Sequence, residues 1–272
     1  MEFDCSPLDR PEVLNLLFHP RPEPRVAGGV APSSVHDVLI PVDDSVHVGG
    51  RFHLFDPSFV NVLFFHGNGE IVADYDDMGP VYGRIGVNFC PVDYRGYGRS
   101  TGIPTCSALI RDAHSVMDFL ARYLRETGYG GPVIVMGRSL GSAPAIELAA
   151  SGDRHCVGGL IIESGFAHAV PLLRLLGLNV ERLGLSGTDV VGNHMKIRRV
   201  LQPTLIIHAE FDRIIPFTDA LDLYEASAAE HKWLVRIPDA GHNDIIYRGI
   251  TQYMAAVKSF AERLREAWQD GC

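Results

Sequence analysis

From residue 35 onward the chain alternates short apolar runs with longer segments in which apolar residues recur at helical spacing. The runs VHDVLI (35–40), SVHVGGRFHLF (45–55), NVLFFHG (61–67), GVNFCPVDY (86–94), PVIVMG (132–137), VGGLIIES (157–164), PTLIIHA (203–209) and WLVRIP (233–238) predict strands. The middle ones are nearly unbroken in apolar character, as parallel strands covered on both faces require. Between them Leu109, Ala113, Val116, Leu120 and Leu124 share one helical face, with Ser107 as a candidate N-cap. Ile246, Ile250, Tyr253, Val257, Phe260, Leu264 and Trp268 trace a second stripe near the C-terminus, and core packing is the expectation for its aromatic residues. Strands first and β-α alternation afterwards predict an α/β fold. It is a doubly wound, mostly parallel sheet of about eight strands that opens with a hairpin and carries helices on both faces.

Two regions break this rhythm. Residues 1–34 contain Pro7, Pro11, Pro20, Pro22, Pro24 and Pro32 and read as an arm wrapping the main domain (35–272). Within the arm LNLLF is suited to dock on the core, whereas PRPEP must run extended. The second break is the stretch of roughly forty residues between Ser164 and Pro203, too long for a plain loop, which predicts a lid insertion over about 166–200. No internal repeat or low-complexity tail is present.

Composition narrows the classes. At 272 residues and 46% hydrophobic, the chain can bury one large core. Its formal net charge of -9, with no compensating Lys/Arg run, argues against nucleic acid and anionic membrane as partners. Cys5, Cys90, Cys106, Cys156 and Cys272 are scattered and form no CxxC pair, so neither a disulfide framework nor a thiolate metal site is expected, and a reducing cytoplasm is the default. The opening MEFDCSPLDRPE has no signal-peptide character, and no apolar run is long enough for an integral membrane segment. Oligomeric state is left open.

Gly-x-Ser-x-Gly occurs twice, at Gly137-Arg138-Ser139-Leu140-Gly141 and at Gly98-Arg99-Ser100-Thr101-Gly102. A nucleophile elbow needs a strand that ends at the serine and a helix that starts there. VIVM runs straight into Gly137, and Leu140 opens a helix in which Pro144 is tolerable only in the first turn. Ser100 lies several residues past its strand, and Ile103-Pro104 opposes an immediate helix. Ser139 is therefore the candidate nucleophile.

A serine hydroxyl needs a general base and an oxyanion site. His242, in the loop PDAGHND after the last strand, is the candidate base; Gly241 lets that loop approach closely. His19, His36, His47, His53, His114, His155, His194 and His231 have no comparable setting. The acid that orients the base is expected to be Asp212, just after PTLIIHA, with Glu163 at the end of LIIES as its rival; Glu210 and Asp239 fit less well. The oxyanion amides are expected from Leu140 and from His66-Gly67-Asn68-Gly69, where Asn68 is the choice and Gly67 or Gly69 the alternatives. His66 has a plainer role available, bracing that loop.

The blocks LFFHGNGE, VDYRGYGRSTGIPT, VMGRSLGSAPA, LIIESGF, PTLIIHAEFDRIIP and PDAGHND, in this order, resemble those of the α/β-hydrolase family. The branch they resemble holds acyl-protein thioesterase-like and prolyl-oligopeptidase-like (serine aminopeptidase-type) members. The resemblance runs from about residue 35 to the C-terminus. It implies an eight-stranded, mostly parallel sheet, a mechanism without metal or other cofactor, a triad of Ser139, Asp212 and His242, and oxyanion amides at Asn68 and Leu140. Two positions depart from the pattern: Ala209 stands where many relatives have glycine, and Gly69 where a bulkier residue is common.

The leading expectation is a serine hydrolase acting on a carboxylic ester or thioester of a small-molecule or acylated substrate. Phe166, Val170, Leu172, Leu173, Leu176 and Leu178 either line an acyl pocket, Phe166 and Leu173 foremost, or simply pack the lid. Amide or peptide cleavage is the alternative, with Asp74, Asp76 and Asp77 as candidate anchors for a free amine. A non-catalytic binding module on the same fold is the third.

Overall fold

A computed structural model describes residues 3–24, 33–152, 155–185 and 190–271, side chains of 269–271 excepted. All eight predicted strands form: β1 (Val35–Asp43), β2 (Val46–His53), β3 (Val60–Phe65), β4 (Val87–Val92), β5 (Val133–Arg138), β6 (Val157–Glu163), β7 (Thr204–Ala209) and β8 (Lys232–Ile237). They make a single sheet in the order β1-β2-β4-β3-β5-β6-β7-β8. β1 and β2 form the hairpin and β2 runs antiparallel to β4; from β4 to β8 every pairing is parallel.

The unbroken apolar runs follow from this placement. Successive side chains of a strand face opposite ways. Leu63, Phe65, Val135, Leu160, Ile162 and Ile206 enter one core layer, and Val62, Phe64, Ile134, Met136, Ile161 and Ile207 the other. The first layer is covered by α1 (Pro11–Leu17), α3 (Cys106–Thr127), α4 (Ser142–Ala150) and α5 (Ala169–Leu175); α2 (Gly79–Arg84) and α8 (Ile245–Gly271) close the second. α6 (Asn193–Lys196) and α7 (Phe217–Ala226) lie between β6 and β8 in the chain.

Two details differ from expectation. The N-cap of α3 is Thr105, not Ser107: its hydroxyl accepts from the Ala108 amide at 3.0 Å, and Thr105 holds the extended backbone an N-cap needs. In α8 the stripe is offset at Ile250, which is 41% exposed, while Tyr253, Val257, Phe260 and Leu264 are buried. The cause is a kink at Gly249 (φ −125°, ψ 21°), where a Cβ would lie 2.2 Å from Ile237 Cγ2. The helix approaches β8 too closely there to keep its turn.

Residues 3–24 lie against the first layer, with Leu8, Val13, Leu17 and Phe18 buried among its side chains. Pro22 makes a parallel bridge to Gly98. Residues 1–2 and 25–32 of the predicted arm, including Pro32, lie outside the described residues, as do 186–189 of the predicted lid. Among the described residues no helix is long and apolar enough to cross a membrane.

Candidate active site

Ser139, Asp212, His242 and the 66–70 loop all lie at the carboxyl edge of the parallel strands, following β5, β7, β8 and β3 respectively. Open α/β sheets offer ligands a crevice at that edge.

β5 ends at Arg138 and a helical turn starts at Ser139, whose φ of 51° marks the sharp reversal. Neither flanking glycine could carry a side chain: a Cβ on Gly137 would sit 2.0 Å from the Gly141 carbonyl oxygen, and one on Gly141 2.1 Å from that of Phe65. The half-buried Ser139 Oγ lies 2.9 Å from His242 Nε2. His242 Nδ1 lies 2.6 Å from Asp212 Oδ2. A carboxylate accepts only, so Nδ1 carries the hydrogen and Nε2 of the neutral ring is free to accept from the serine.

Asp212 is held firmly. Its Oδ1 accepts from the amides of Ile214 (2.9 Å) and Ile215 (2.8 Å). Burial pushes its carboxyl up, but the hydrogen bond and charge of His242 and these two amides outweigh it and hold the group below the usual carboxylate range. His208 braces the same turn through Nε2 against the Ile215 carbonyl (2.8 Å), and burial lowers its pKa. The rival Glu163 is turned elsewhere: Oε2 accepts from Tyr253 Oη at 2.7 Å and Oε1 faces Arg138 Nη1 at 3.5 Å. Burial raises its pKa against the pull of Arg138. Glu210 accepts from the Asp239 amide and lies beside Arg236, with no hydrogen bond to His242.

In the 66–70 loop the Gly67 amide donates to Glu70 Oε2 (2.7 Å). Gly67 is thus spent internally as a donor. The Gly67 carbonyl is held by His66 Nδ1 (2.8 Å) and, more loosely, by the Glu70 amide (3.3 Å). Because the peptide unit is planar and trans, the Asn68 N–H on the same unit must point the opposite way. Gly69 has φ 76°, a conformation a bulkier residue would resist. Ser100 is occupied as an acceptor for the Gly49 amide at 2.8 Å.

Sequence reasoning did not single out Arg138, which ties the site together. It is 8% exposed, donates from Nε to Glu70 Oε1 (2.9 Å) and from Nη1 to the His242 carbonyl (3.2 Å), and Nη2 lies 3.4 Å from Asn243 Oδ1. The loop carrying the histidine and the loop carrying Asn68 are thereby fixed to the residue before the serine. An arginine inside an otherwise apolar strand end is the signal that points to it, since a buried charge must be paired.

Leu140, Ala143, Phe166, Leu172 and Leu173 border one apolar crevice, closed from the other side by Cys5, Leu8 and Leu17 of the N-terminal segment. Leu176 turns outward and does not line it. Of the acidic residues considered as amine anchors, Asp74 pairs with Arg21, and Asp76 with Arg51 at 2.7 Å. Both are thus engaged by an arginine, Arg51 being shared with Glu23 and Asp37, whereas an amine anchor needs a carboxylate left open.

Sequence and structure comparisons agree with this architecture. Residues 57–186 match the Hydrolase_4 family, described as serine aminopeptidase, S33. The chain is 33% identical over 211 residues to the human alpha/beta hydrolase domain-containing protein 17B, covering 74% of this chain and 66% of that one. It is 30% identical over 216 residues to alpha/beta hydrolase domain-containing protein aho-3 of Caenorhabditis elegans, covering 75% and 58%. It thus spans about three fifths of the length of such relatives. Among solved structures, the Pyrococcus furiosus esterase Pf2001 matches with a TM-score of 0.70 at 19% identity, over 90% of this chain and 100% of that one. Est1E of Butyrivibrio proteoclasticus, solved with ferulic acid bound, matches with a TM-score of 0.66 at 17% identity, over 84% and 98%. The chain belongs to the α/β-hydrolases.

Proposed function

We propose that this hydrolase cleaves a carboxylic ester or thioester through an acyl-enzyme on Ser139. One observation carries the reading: the unbroken chain from Ser139 Oγ through His242 to Asp212, at 2.9 and 2.6 Å. In the proposed reaction Oγ attacks the acyl carbon and its proton passes to His242 Nε2, while Asp212 stabilises the resulting imidazolium. The amides of Leu140 and Asn68 receive the oxyanion, each worth roughly 3 kcal/mol in the transition state. His242 then protonates the departing alcohol or thiol, and a water activated by the same ring releases the acid. Phe166 and Leu173 are read as walls of the acyl pocket, on the strength of the crevice they share with Leu140. Cleavage of peptides with a free amine is the weaker reading, because Asp74 and Asp76 are engaged by arginines. The unpaired cysteines, Cys5, Cys90 and Cys106 of them buried, suit a reducing compartment, and we assign the chain to the cytoplasm.

A fluorophosphonate probe tests the core of this proposal. The native protein is expected to gain one covalent adduct at Ser139, located by peptide mass spectrometry, and the heat-denatured protein none. An unlabelled native protein, or an adduct elsewhere, would sink it. Esters and thioesters of graded chain length, assayed beside aminoacyl amides, then separate the acyl from the peptide reading.

A further inference from the structure

We propose that the N-terminal arm is part of the catalytic apparatus: His19–Arg21 clamps the 66–70 loop, with Arg21 as a positioning residue for the Asn68 amide. The inference rests on the reading of Asn68 as an oxyanion donor.

The arm is anchored on both sides of this stretch. Upstream, Leu17 and Phe18 are buried in the main core. Downstream, the Gly98 amide donates to the Arg21 carbonyl (2.9 Å) and the Glu23 amide to the Gly98 carbonyl (3.1 Å). The Glu23 carboxylate takes Arg51 at 2.7 Å and Arg99 at 3.0 Å. The short span between these anchors spends its polar groups on the loop. The His19 amide donates to Asn68 Oδ1 (3.1 Å) and to Tyr97 Oη (2.8 Å), and Tyr97 Oη itself donates to Asn68 Oδ1 (2.9 Å). Arg21 Nε donates to the Gly69 carbonyl at 2.8 Å, and its terminal nitrogen pairs with Asp74, whose carboxylate caps the Ile71 amide at 3.0 Å.

Loop 66–70 needs such a clamp. Gly67 and Gly69 give it more backbone freedom than any other residue pair would, yet an oxyanion donor is useful only in one orientation. From inside, His66 and Glu70 fix the Gly67 carbonyl, and hence the plane of the Asn68 N–H. What remains is a crankshaft tilt of that peptide unit about its hydrogen bonds, through opposed rotations of Gly67 ψ and Asn68 φ. The arm removes it by holding the Asn68 side chain and the carbonyl of the following residue from outside. Arg21 and Asp74 are each 40% exposed, and a surface pair of that kind adds little to stability. Removing Arg21 therefore separates positioning from folding.

The test compares Arg21→Ala and Arg21→Lys with the unaltered full chain. Lysine keeps the charge facing Asp74 but lacks the Nε–H that reaches Gly69. Three quantities are read: kcat and KM on a short aryl ester, amide hydrogen exchange of the peptide spanning residues 66–71, and the melting temperature. Both variants are expected to lose roughly tenfold to a hundredfold in kcat with KM nearly unmoved, as for a partly misplaced oxyanion donor. Exchange across 66–71 should rise while the melting temperature holds. Unchanged exchange across 66–71, or raised exchange with kcat intact, overturns the proposal. The exchange measurement stands without turnover: a native chain that gains no fluorophosphonate adduct at Ser139 refutes the assignment of Ser139, while exchange across 66–71 still decides the clamp.

Discussion

The pattern Gly-Arg-Ser-x-Gly is written twice in this chain, and the two copies fold into unlike things. At 137–141 a strand runs directly into the serine, whose backbone takes φ 51° and whose Oγ faces His242. At 98–102 the same pattern follows a loop, and the serine accepts from the Gly49 amide on the opening hairpin. The glycines differ in what they do: in the first copy both permit close approach of backbone to backbone, whereas Gly98 and Gly102 themselves adopt positive φ, 56° and 80°. The arginines differ as well. Arg138 is buried between Glu70 and Glu163, while Arg99 is a third exposed and clasps Glu23 and Asp37. What distinguishes the candidate nucleophile is thus the element that delivers it, and five letters of sequence do not carry that.

The sharpest way to break the contrast is to truncate each serine. Ser139→Ala should lower ester turnover by roughly four orders of magnitude or more. Ser100→Ala should leave kcat near wild type and cost about 1 kcal/mol of stability for the lost acceptor, measured by urea denaturation. Comparable activity loss in both would end the distinction. The arginines come next: Arg138→Met should destabilise by about 3–5 kcal/mol, because the buried Glu163 and the part-buried Glu70 lose their counter-charge, against about 1 kcal/mol or less for Arg99→Met. Equal shifts in denaturation midpoint would show that burial is not what separates them. The smallest effect is in acid. Asp212, reached only by the 139 copy, has its folded pKa held below the unfolded value, 3.8. Its ionised form therefore contributes stability that is present above pH of about 4 and lost as pH falls through the lowered folded value. Asp212→Asn should flatten the acid limb of a stability-versus-pH curve in that window; an unchanged limb would count against the buried pairing.

Most of the sheet was readable because parallel strands buried on both faces leave unbroken apolar runs, as in NVLFF and TLIIHA. Ser139, Asp212 and His242 each follow a parallel strand, and parallel strands deliver their following residues to one edge, so their sharing of that edge is legible in the sequence. What escaped notice depends on partners remote in sequence or on backbone irregularity. Arg138 and Glu70 are 68 positions apart. Arg21 meets the Gly69 carbonyl through a single hydrogen bond that no periodicity encodes. Ile250 fell off its helical stripe because Gly249 yields to Ile237, a contact between helix and strand that an ideal 100° projection ignores. Thr105 rather than Ser107 caps α3 because the helix is already under way at Cys106, two residues before the start a Ser107 cap would give.

The way Asp212 is held has a dynamic consequence. Each of its oxygens is already claimed, Oδ1 by two backbone amides and Oδ2 by the histidine ring. In the proposed reaction, a proton reaching His242 would require no dipole around this carboxylate to turn to meet the new charge, as water would have to. The reorganisation energy at this end of the site is thus met when the chain folds, and each turnover by the proposed route would be spared it.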